Sequence, residues 1–258
     1  MKIDLGEKTI VMTGAFGGIA EYVVNTLIEA GAFLVLTDRT SEAAAEDHIR
    51  QRGHDVSRCT YRTMDVTDSE ATARVVDALF DEYPGINIAL GHAGGTGVEA
   101  FRDCTGESFD RVFDFNFKGQ VHLTRPMLRQ WVQRRTTGHM IYTSSFVSRI
   151  PWQGISAYVS AKAALDMFAR ALALEYAAEG IRFNMLSPGN VATGSSQIIY
   201  DTDTDYRRVV DRISPLGQRN TPEAIANGVL FLCSHLADEL DGSTLAVDAG
   251  VSLPKLQD

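Results

Sequence analysis

One pattern constrains this chain above all others. Short β-rich apolar runs alternate with helical segments from the first ten residues almost to the last. Lys8–Thr13 is apolar and ends at Gly14. Gly18–Ala30 carries Ile19, Val23, Leu27 and Ile28 at helical spacing, and Gly31 stops it. Phe33–Thr37 forms a second run ending at Asp38, and Ser41 then reads as the N-cap of a helix reaching about Arg52. Strand Thr60–Met64, helix Asp68–Tyr83 (broken by Pro84 and Gly85) and strand Ile86–Gly91 continue the series. Further on, helices are predicted at Glu107–Phe117 and Lys118–Arg135, a strand at His139–Ser144, a long helix at Ser156–Glu179, a strand at Ile181–Leu186, a helix at Pro222–Leu236 and a last strand at Thr244–Val247. Alternation of this kind predicts an α/β fold: a doubly wound parallel sheet of about seven strands with helices on both faces. Right-handed crossovers then constrain the winding.

The 258 residues contain no linker, repeat or low-complexity tract, so residues 1–258 are expected to form a single domain. The one irregular stretch is Gly189–Asn220, expected to be a substrate lid holding one short helix near Tyr206–Ile213; a segment this long inside a domain is usually functional. Such a chain buries a large core without a metal or disulfide. With 24 Lys and Arg against 33 Asp and Glu, the net charge is -9. That balance argues against a nucleic-acid or anionic-membrane partner. The basic pair Arg134 and Arg135 reads as a solvated helix end. Cys59, Cys104 and Cys233 are odd in number and far apart, with no CxxC, which fits a reduced compartment and offers no metal site. Met1–Lys8 lacks the apolar core of a signal peptide, and no run approaches a membrane span. A cytoplasmic protein is expected.

Between the first strand and first helix lie Gly14, Ala15, Phe16, Gly17, Gly18, Ile19 and Ala20. Glycines there let the backbone approach a pyrophosphate, and the helix N-terminus offers N–H groups and a positive dipole end. A turn like this can also be only a tight connection. Asp38, about 20 residues on, can accept hydrogen bonds from a ribose diol and would repel a 2′-phosphate, which favours NAD over NADP. Arg39 beside it partly offsets that bias, and Asp38 can equally be a solvated turn residue.

Tyr158 and Lys162 stand four apart at the start of the long helix, hence on one face. An ammonium near a phenol favours the phenolate, and a phenol so tuned can exchange a proton with an alcohol or carbonyl. Ser144 and Ser145 end the preceding strand, where open-sheet sites form. Tyr and Lys at this spacing also occur as plain surface residues.

Taken in order, these residues and several others resemble the short-chain dehydrogenase/reductase family over nearly the full length, especially its sugar and polyol dehydrogenase members, and the fold expected is therefore Rossmann-type. Thr13, Gly14, Gly18 and Ile19 resemble its cofactor turn, with Ala20 replacing the usual last glycine. Asp65 and Val66 resemble the pair beside the adenine. Gly91, His92, Ala93 and Gly94 stand where the family usually has Asn-Asn-Ala-Gly, so His92 is expected to be a pocket wall. Asn116 matches the active-site asparagine. Ser145, thirteen residues before Tyr158, has the family's spacing and is preferred to Ser144. The segment from Ser187 through Pro188, Gly189, Val191 and Thr193 resembles the stretch that packs on the nicotinamide, and Asp248–Gly250 the end of the last strand.

The resemblance implies an NAD-dependent hydride transfer to or from a small-molecule secondary alcohol or carbonyl. Tyr158 would exchange the proton, Lys162 would lower the Tyr158 pKa and bind the nicotinamide ribose, Ser145 would orient the substrate oxygen, and Asn116 would hold a water linked to Lys162. Ile150, Pro151 and Trp152 resemble a segment of sugar dehydrogenases. Glu99, Arg149, Gln153 and the polar lid would suit a sugar, polyol or related hydroxylated substrate, although such residues can equally face solvent. The alternatives are an NADH-dependent reductase of a ketone or 3-oxoacyl group, and a non-catalytic dinucleotide-binding sensor or scaffold. The long helix is apolar on more than one side. The resemblance implies a homodimer or homotetramer through it and Lys118–Arg135.

Overall fold

The computed structural model describes residues 2–253, so the ends of the expected 1–258 domain lie outside the described residues. One seven-stranded sheet runs β3-β2-β1-β4-β5-β6-β7, all neighbours parallel. The strands are β1 (Thr9–Thr13), β2 (Phe33–Asp38), β3 (Cys59–Thr63), β4 (Ile86–Gly91), β5 (Gly138–Thr143), β6 (Ile181–Pro188) and β7 (Thr244–Val247). The helices are α1 (Ala20–Glu29), α2 (Glu42–Gln51), α3 (Ser69–Glu82), α4 (Gly106–Phe113), α5 (Gly119–Arg134), α6 (Ser156–Tyr176), α7 (Gly194–Thr202), α8 (Thr204–Ile213) and α9 (Pro222–Cys233). This is the doubly wound Rossmann-type sheet the alternation predicts.

Its strands are near-continuous apolar runs because each is covered on both sides. Ile10 and Met12 of β1, Leu34 and Leu36 of β2, and Ile88 and Leu90 of β4 pack with α1 (Val23, Val24, Leu27) and α9 (Ile225, Val229, Leu232). The intervening Val11, Val35 and Ala89 face the opposite core with Val76 and Leu79 of α3, Leu123, Met127 and Trp131 of α5, and Leu165 and Ala169 of α6. Trp131 is wholly buried, and its indole N–H donates to the Ile86 carbonyl at 2.9 Å.

Three stretches depart from the expected elements. The helices predicted at Glu107–Phe117 and Lys118–Arg135 are not separate: a π turn, Asp114–Lys118, joins α4 to α5. Wider turns of this type concentrate at functional sites. The long helices also end earlier than predicted, with a 3-10 turn at Ala177–Glu179 after α6 and another at His235–Ala237 after α9.

The third departure is in the stretch expected to be mostly irregular, which holds two helices rather than one. Helix α7 has little sequence signal, because Ser195, Ser196 and the β-branched Ile198 and Ile199 are poor helix formers. It forms because Arg219 gathers it. That guanidinium donates to Gln197 Oε1 (2.8 Å) and Ser196 Oγ (3.1 Å) and lies 4.2 Å above the Tyr200 ring. Asp203 both ends α7 and caps α8, accepting from the N–H groups of Asp205 and Tyr206.

Candidate active site

The C-terminal ends of β1 and β4 part where the strand order reverses, the place at which open parallel sheets take ligands. Two adjoining cavities of about 380 and 290 Å³ fill this crevice and share Gly17, His92 and Gly94. The glycine turn forms its floor. Gly14 has φ of +68°, and a Cβ there would sit 2.8 Å from Ala93 Cα. A Cβ on Gly18 would sit 2.8 Å from both the Gly194 nitrogen and Thr193 Oγ1. Helix α1 has no side-chain cap at Ile19, which leaves the amide groups of its first turn for an anion.

The first cavity is lined by Phe16, Asp38, Asp65, Val66 and Ala93, all named from the sequence, and also by Arg39, Thr40 and His48. The Phe16 ring stacks on His48 and Tyr61, with centroids 4.9 and 5.3 Å away. Asp38 accepts from Thr40 N (3.4 Å), Thr40 Oγ1 (3.3 Å) and Phe16 N (3.5 Å). These bonds are long and weak, so the carboxylate keeps capacity for hydroxyl donors.

The second cavity brings Ile19, Pro188, Gly189, Val191 and Thr193 together with Ser145, Tyr158 and Lys162. Ser144 and Ser145 both line it, but the Ser144 hydroxyl donates to the buried Asp166 carboxylate, which also accepts from Ser148 Oγ at 2.7 Å. Ser145 is the one of the two that hydrogen-bonds Tyr158. Lys162 donates from Nζ to the Thr143 carbonyl at 2.8 Å, and its ammonium lies 5.5 Å from the centre of the Tyr158 ring.

Burial pushes Lys162 down to about 8, against the opposing pull of Asp166. It pushes Tyr158 up to about 12, against the opposing hydrogen bond with Ser145. Burial thus dominates at the phenol, which is pushed up rather than drawn down.

Asn116 sits on the π turn and is fully buried. Its Nδ2 donates to the carbonyls of Gly95 and Val112, both at 2.8 Å, and its Oδ1 accepts from Gly95 N at 3.0 Å. A Cβ on Gly94 would meet Asn116 Oδ1 at 2.8 Å and Lys162 Nζ at 3.3 Å. Gly94 is thus the space in which the amide and the ammonium come near each other.

Sequence reasoning did not single out Gln120, Thr143 or Asp166. Thr143 supplies its carbonyl to Lys162 and its hydroxyl to His92 Nδ1 at 2.8 Å. Gln120 explains Gly91: any Cβ there would collide with Gln120 Oε1 and lie 2.8 Å from Tyr142 Cδ1. Asp166 alone had a signal, since it stands one helical turn beyond Lys162. Of the residues thought to suit a hydroxyl-rich ligand, Glu99 accepts from Ser108 Oγ (2.7 Å) and Arg149 donates to Ser187 Oγ (3.3 Å). Gln153 lines a third cavity of about 520 Å³, with Ser196, Asp203 and Asp205 of the lid, and this cavity meets the second at Ser145 and Tyr158.

A crevice of this shape at the switch point of a doubly wound sheet marks the class of dinucleotide-binding oxidoreductases. A family model described as Enoyl-(Acyl carrier protein) reductase matches residues 14–252, and the chain belongs to the short-chain dehydrogenase/reductase family. It is 29% identical over 250 residues to 3beta-hydroxysteroid dehydrogenase 1 of Eggerthella lenta, covering 97% of this chain and 95% of that one. It is also 29% identical over 250 residues to L-xylulose reductase of Homo sapiens, covering 97% and 98%. Among solved structures, a protein assigned as a 2-deoxy-D-gluconate 3-dehydrogenase from Agrobacterium tumefaciens, with NADP bound, superposes with a TM-score of 0.86 at 25% identity, covering 97% and 98%. No helix among the described residues is long and apolar enough to cross a membrane.

His92 lines both halves of the crevice, and burial, helped by the Lys162 charge, pushes its pKa from 6.5 down to about 4. The folded chain therefore sheds a proton that the unfolded chain keeps between those values. Stability from this group is complete above the unfolded pKa and is lost as the pH falls towards the folded one. His92→Asn removes that loss. Between neutral pH and pH 4, the gap in urea-unfolding free energy between wild type and variant should close by about 3 kcal/mol. A gap that does not change with pH would contradict a buried neutral imidazole.

Proposed function

We propose that this chain is an NAD-dependent oxidoreductase that interconverts a secondary alcohol and its carbonyl. The observation that carries this reading is the meeting of Ser145, Tyr158 and Lys162 where the glycine-floored crevice joins the third cavity. The cradle fits a dinucleotide: Gly14 and Gly18 leave room only for backbone, and two linked cavities suit a two-part ligand. Gly14, Gly17, Gly18 and Ile19 would hold the pyrophosphate. Asp65 and Val66 would flank the adenine, Pro188, Gly189, Val191 and Thr193 the nicotinamide, and His92, Ala93 and Gly94 the wall between. Bound there, the nicotinamide supplies the two-electron hydride acceptor or donor.

The residues handle the proton. In the oxidative direction Tyr158 takes the proton of the substrate hydroxyl, while Ser145 holds the substrate oxygen by a hydrogen bond. Tyr158 must first ionise against the burial that pushes it up to about 12, and the Lys162 ammonium, 5.5 Å from its ring centre, favours that ionised form. Lys162 orients the ribose and, through Asn116, connects to solvent by way of a water. Helices α7 and α8, within residues 189–220, act as the lid. The non-catalytic sensor reading has less support, since it gives no reason to bury a lysine against a phenol.

Asp38 supports NAD over NADP, because a 2′-phosphate would approach its carboxylate. The NADP in the Agrobacterium protein belongs to that protein. The carbohydrate reading draws support from the xylulose relative and from Gln153. The reductive, 3-oxoacyl reading draws on the acyl-carrier description of the family model. Assembly as a homodimer or homotetramer is supported by large apolar side chains left exposed on α5 and α6: Val132, Met167 (61%) and Leu174 (86%). Light scattering at micromolar concentration should give a multiple of 28.2 kDa, and a monomer mass would count against it.

Tyr158→Phe should bind NADH as the wild type does and lose at least about a hundredfold in kcat, the usual worth of a positioned acid or base. Substantial residual turnover would sink the assignment. In competing titrations NAD should bind at least about tenfold more tightly than NADP, the scale of one unscreened like-charge contact, and Asp38→Ser should narrow that ratio. Equal affinities in the wild type would contradict the repulsion at Asp38.

A further inference from the structure

Beyond Ser145 and Tyr158 the crevice widens into the third cavity, whose 520 Å³ falls within the ~300–1,000 Å³ typical of sites for drug-sized ligands. Its walls are largely hydrocarbon. Trp152 meets Phe146 edge to face with centroids 5.6 Å apart, and meets Tyr206 of the lid at 6.4 Å. Val98 (67% exposed) and Val209 (47%) carry the apolar lining out to the mouth. Apolar side chains left at the rim of a concavity mark a binding surface rather than ordinary solvent-facing positions.

No lysine or arginine lines this cavity. The nearby cations are committed to other partners. Arg149 donates to Ser187, Lys162 donates to the Thr143 carbonyl, and Arg219 donates to Asn190 Oδ1 (2.8 Å) and the Val191 carbonyl (2.8 Å). The charged side chains that do line it are Asp203, which caps α8, and Asp205, which pairs with Arg208 at 2.9 Å. An aldonate or a phosphorylated sugar would enter past two carboxylates and meet no cation. Thr96, Gln153, Asn190 and Ser196 offer a few polar contacts, but a polyol would turn many of its hydroxyls towards the hydrocarbon of Val98, Phe146, Val147, Trp152 and Val209, which cannot replace water.

We propose that the substrate is a neutral, ring-bearing secondary alcohol or ketone, its hydrocarbon body held by Phe146, Trp152 and Tyr206 and its reacting oxygen at Ser145 and Tyr158. This rests on the oxidoreductase reading above. In oxidation the carbinol C–H leaves as hydride to the oxidised nicotinamide and the O–H proton leaves through Tyr158. The C–O bond becomes C=O, so one ketone, one reduced cofactor and one proton result. Gln153, which also lines the cavity, would meet a second polar group.

The test uses α-tetralol, D-sorbitol and D-gluconate with NAD, and calorimetric titration of the NADH-loaded protein with α-tetralone and with gluconate. The expected result is a kcat/KM for α-tetralol at least about tenfold above the other two, and tighter binding of α-tetralone than of gluconate. Trp152→Ala should cost α-tetralol about tenfold in kcat/KM, on the scale of one lost pocket contact, with KM for NAD unchanged. Val209→Arg, a change at an exposed position, should weaken α-tetralone and strengthen gluconate even if Trp152→Ala disturbs the lid. Preference for sorbitol or gluconate overturns the substrate class and leaves the oxidoreductase reading standing. Tight α-tetralone binding with no turnover of any alcohol or ketone sinks the oxidoreductase reading, while the cavity's preference holds. Failure of α-tetralone to bind overturns the proposal outright.

Discussion

One hydroxyl fixes where the sheet opens. Thr13 ends β1, and its Oγ1 accepts from the backbone N–H groups of both His92 and Ala93 just past β4, at 3.1 and 3.0 Å. The two central strands are thereby held in register up to their last residues, and the chain beyond them diverges from a fixed point. Gly14 follows immediately and lies so close to Ala93 that no side chain fits between them. The glycine turn, the wall at His92 and Gly94, and the crevice that holds the two adjoining cavities are all set by this pinned end.

From there the polar groups form a connected framework. Thr143, at the end of β5, serves His92 with its hydroxyl and Lys162 with its carbonyl. Asn116 closes the opposite side by bonding both backbone groups of Gly95. Each of these groups is satisfied by a neighbour that also lines the crevice. Such a framework holds its geometry before a ligand arrives, and groups already oriented need little reorganisation when one binds. The dryness that rigidifies it also pushes Tyr158 and Lys162 towards their neutral forms, so the charge state of the pair depends on what is bound beside it.

Much of this was legible in the sequence. The alternation of apolar runs gave the architecture, because strands buried on both faces leave an unbroken hydrophobic signal. The ordered motifs pointed to the residues of the crevice, since each of them is local. What the sequence hid was non-local. Helix α7 depends on Arg219, some twenty residues downstream, and not on its own propensities. The π turn at Asp114–Lys118 keeps the hydrophobic spacing of two ordinary helices and so reads as a break. Gly91 looked like a missing asparagine, and only the position of Gln120 and Tyr142 shows a space that a side chain would fill. Glu99 and Arg149 looked suited to a polar ligand, but each is occupied by a serine hydroxyl. A charge in a loop does not reveal which way it turns.

The elbow formed by α7 and α8 has a mechanical consequence. Asp203 is the shared corner, and Arg219 ties α7 to the loop after β6, so the two helices form one stiff body with few internal joints. Its N-terminal root is Thr193, whose hydroxyl lies 3.4 Å from the Gly18 carbonyl in the phosphate turn, and its C-terminal root is Ser214, bonded to the Ala249 carbonyl at 3.0 Å. A displacement of the elbow as a unit therefore strains the contact at Gly18. On the reading proposed above, the lid over the substrate chamber is rooted on the same turn that would hold the pyrophosphate, which ties the two compartments together through a contact rather than through a charge.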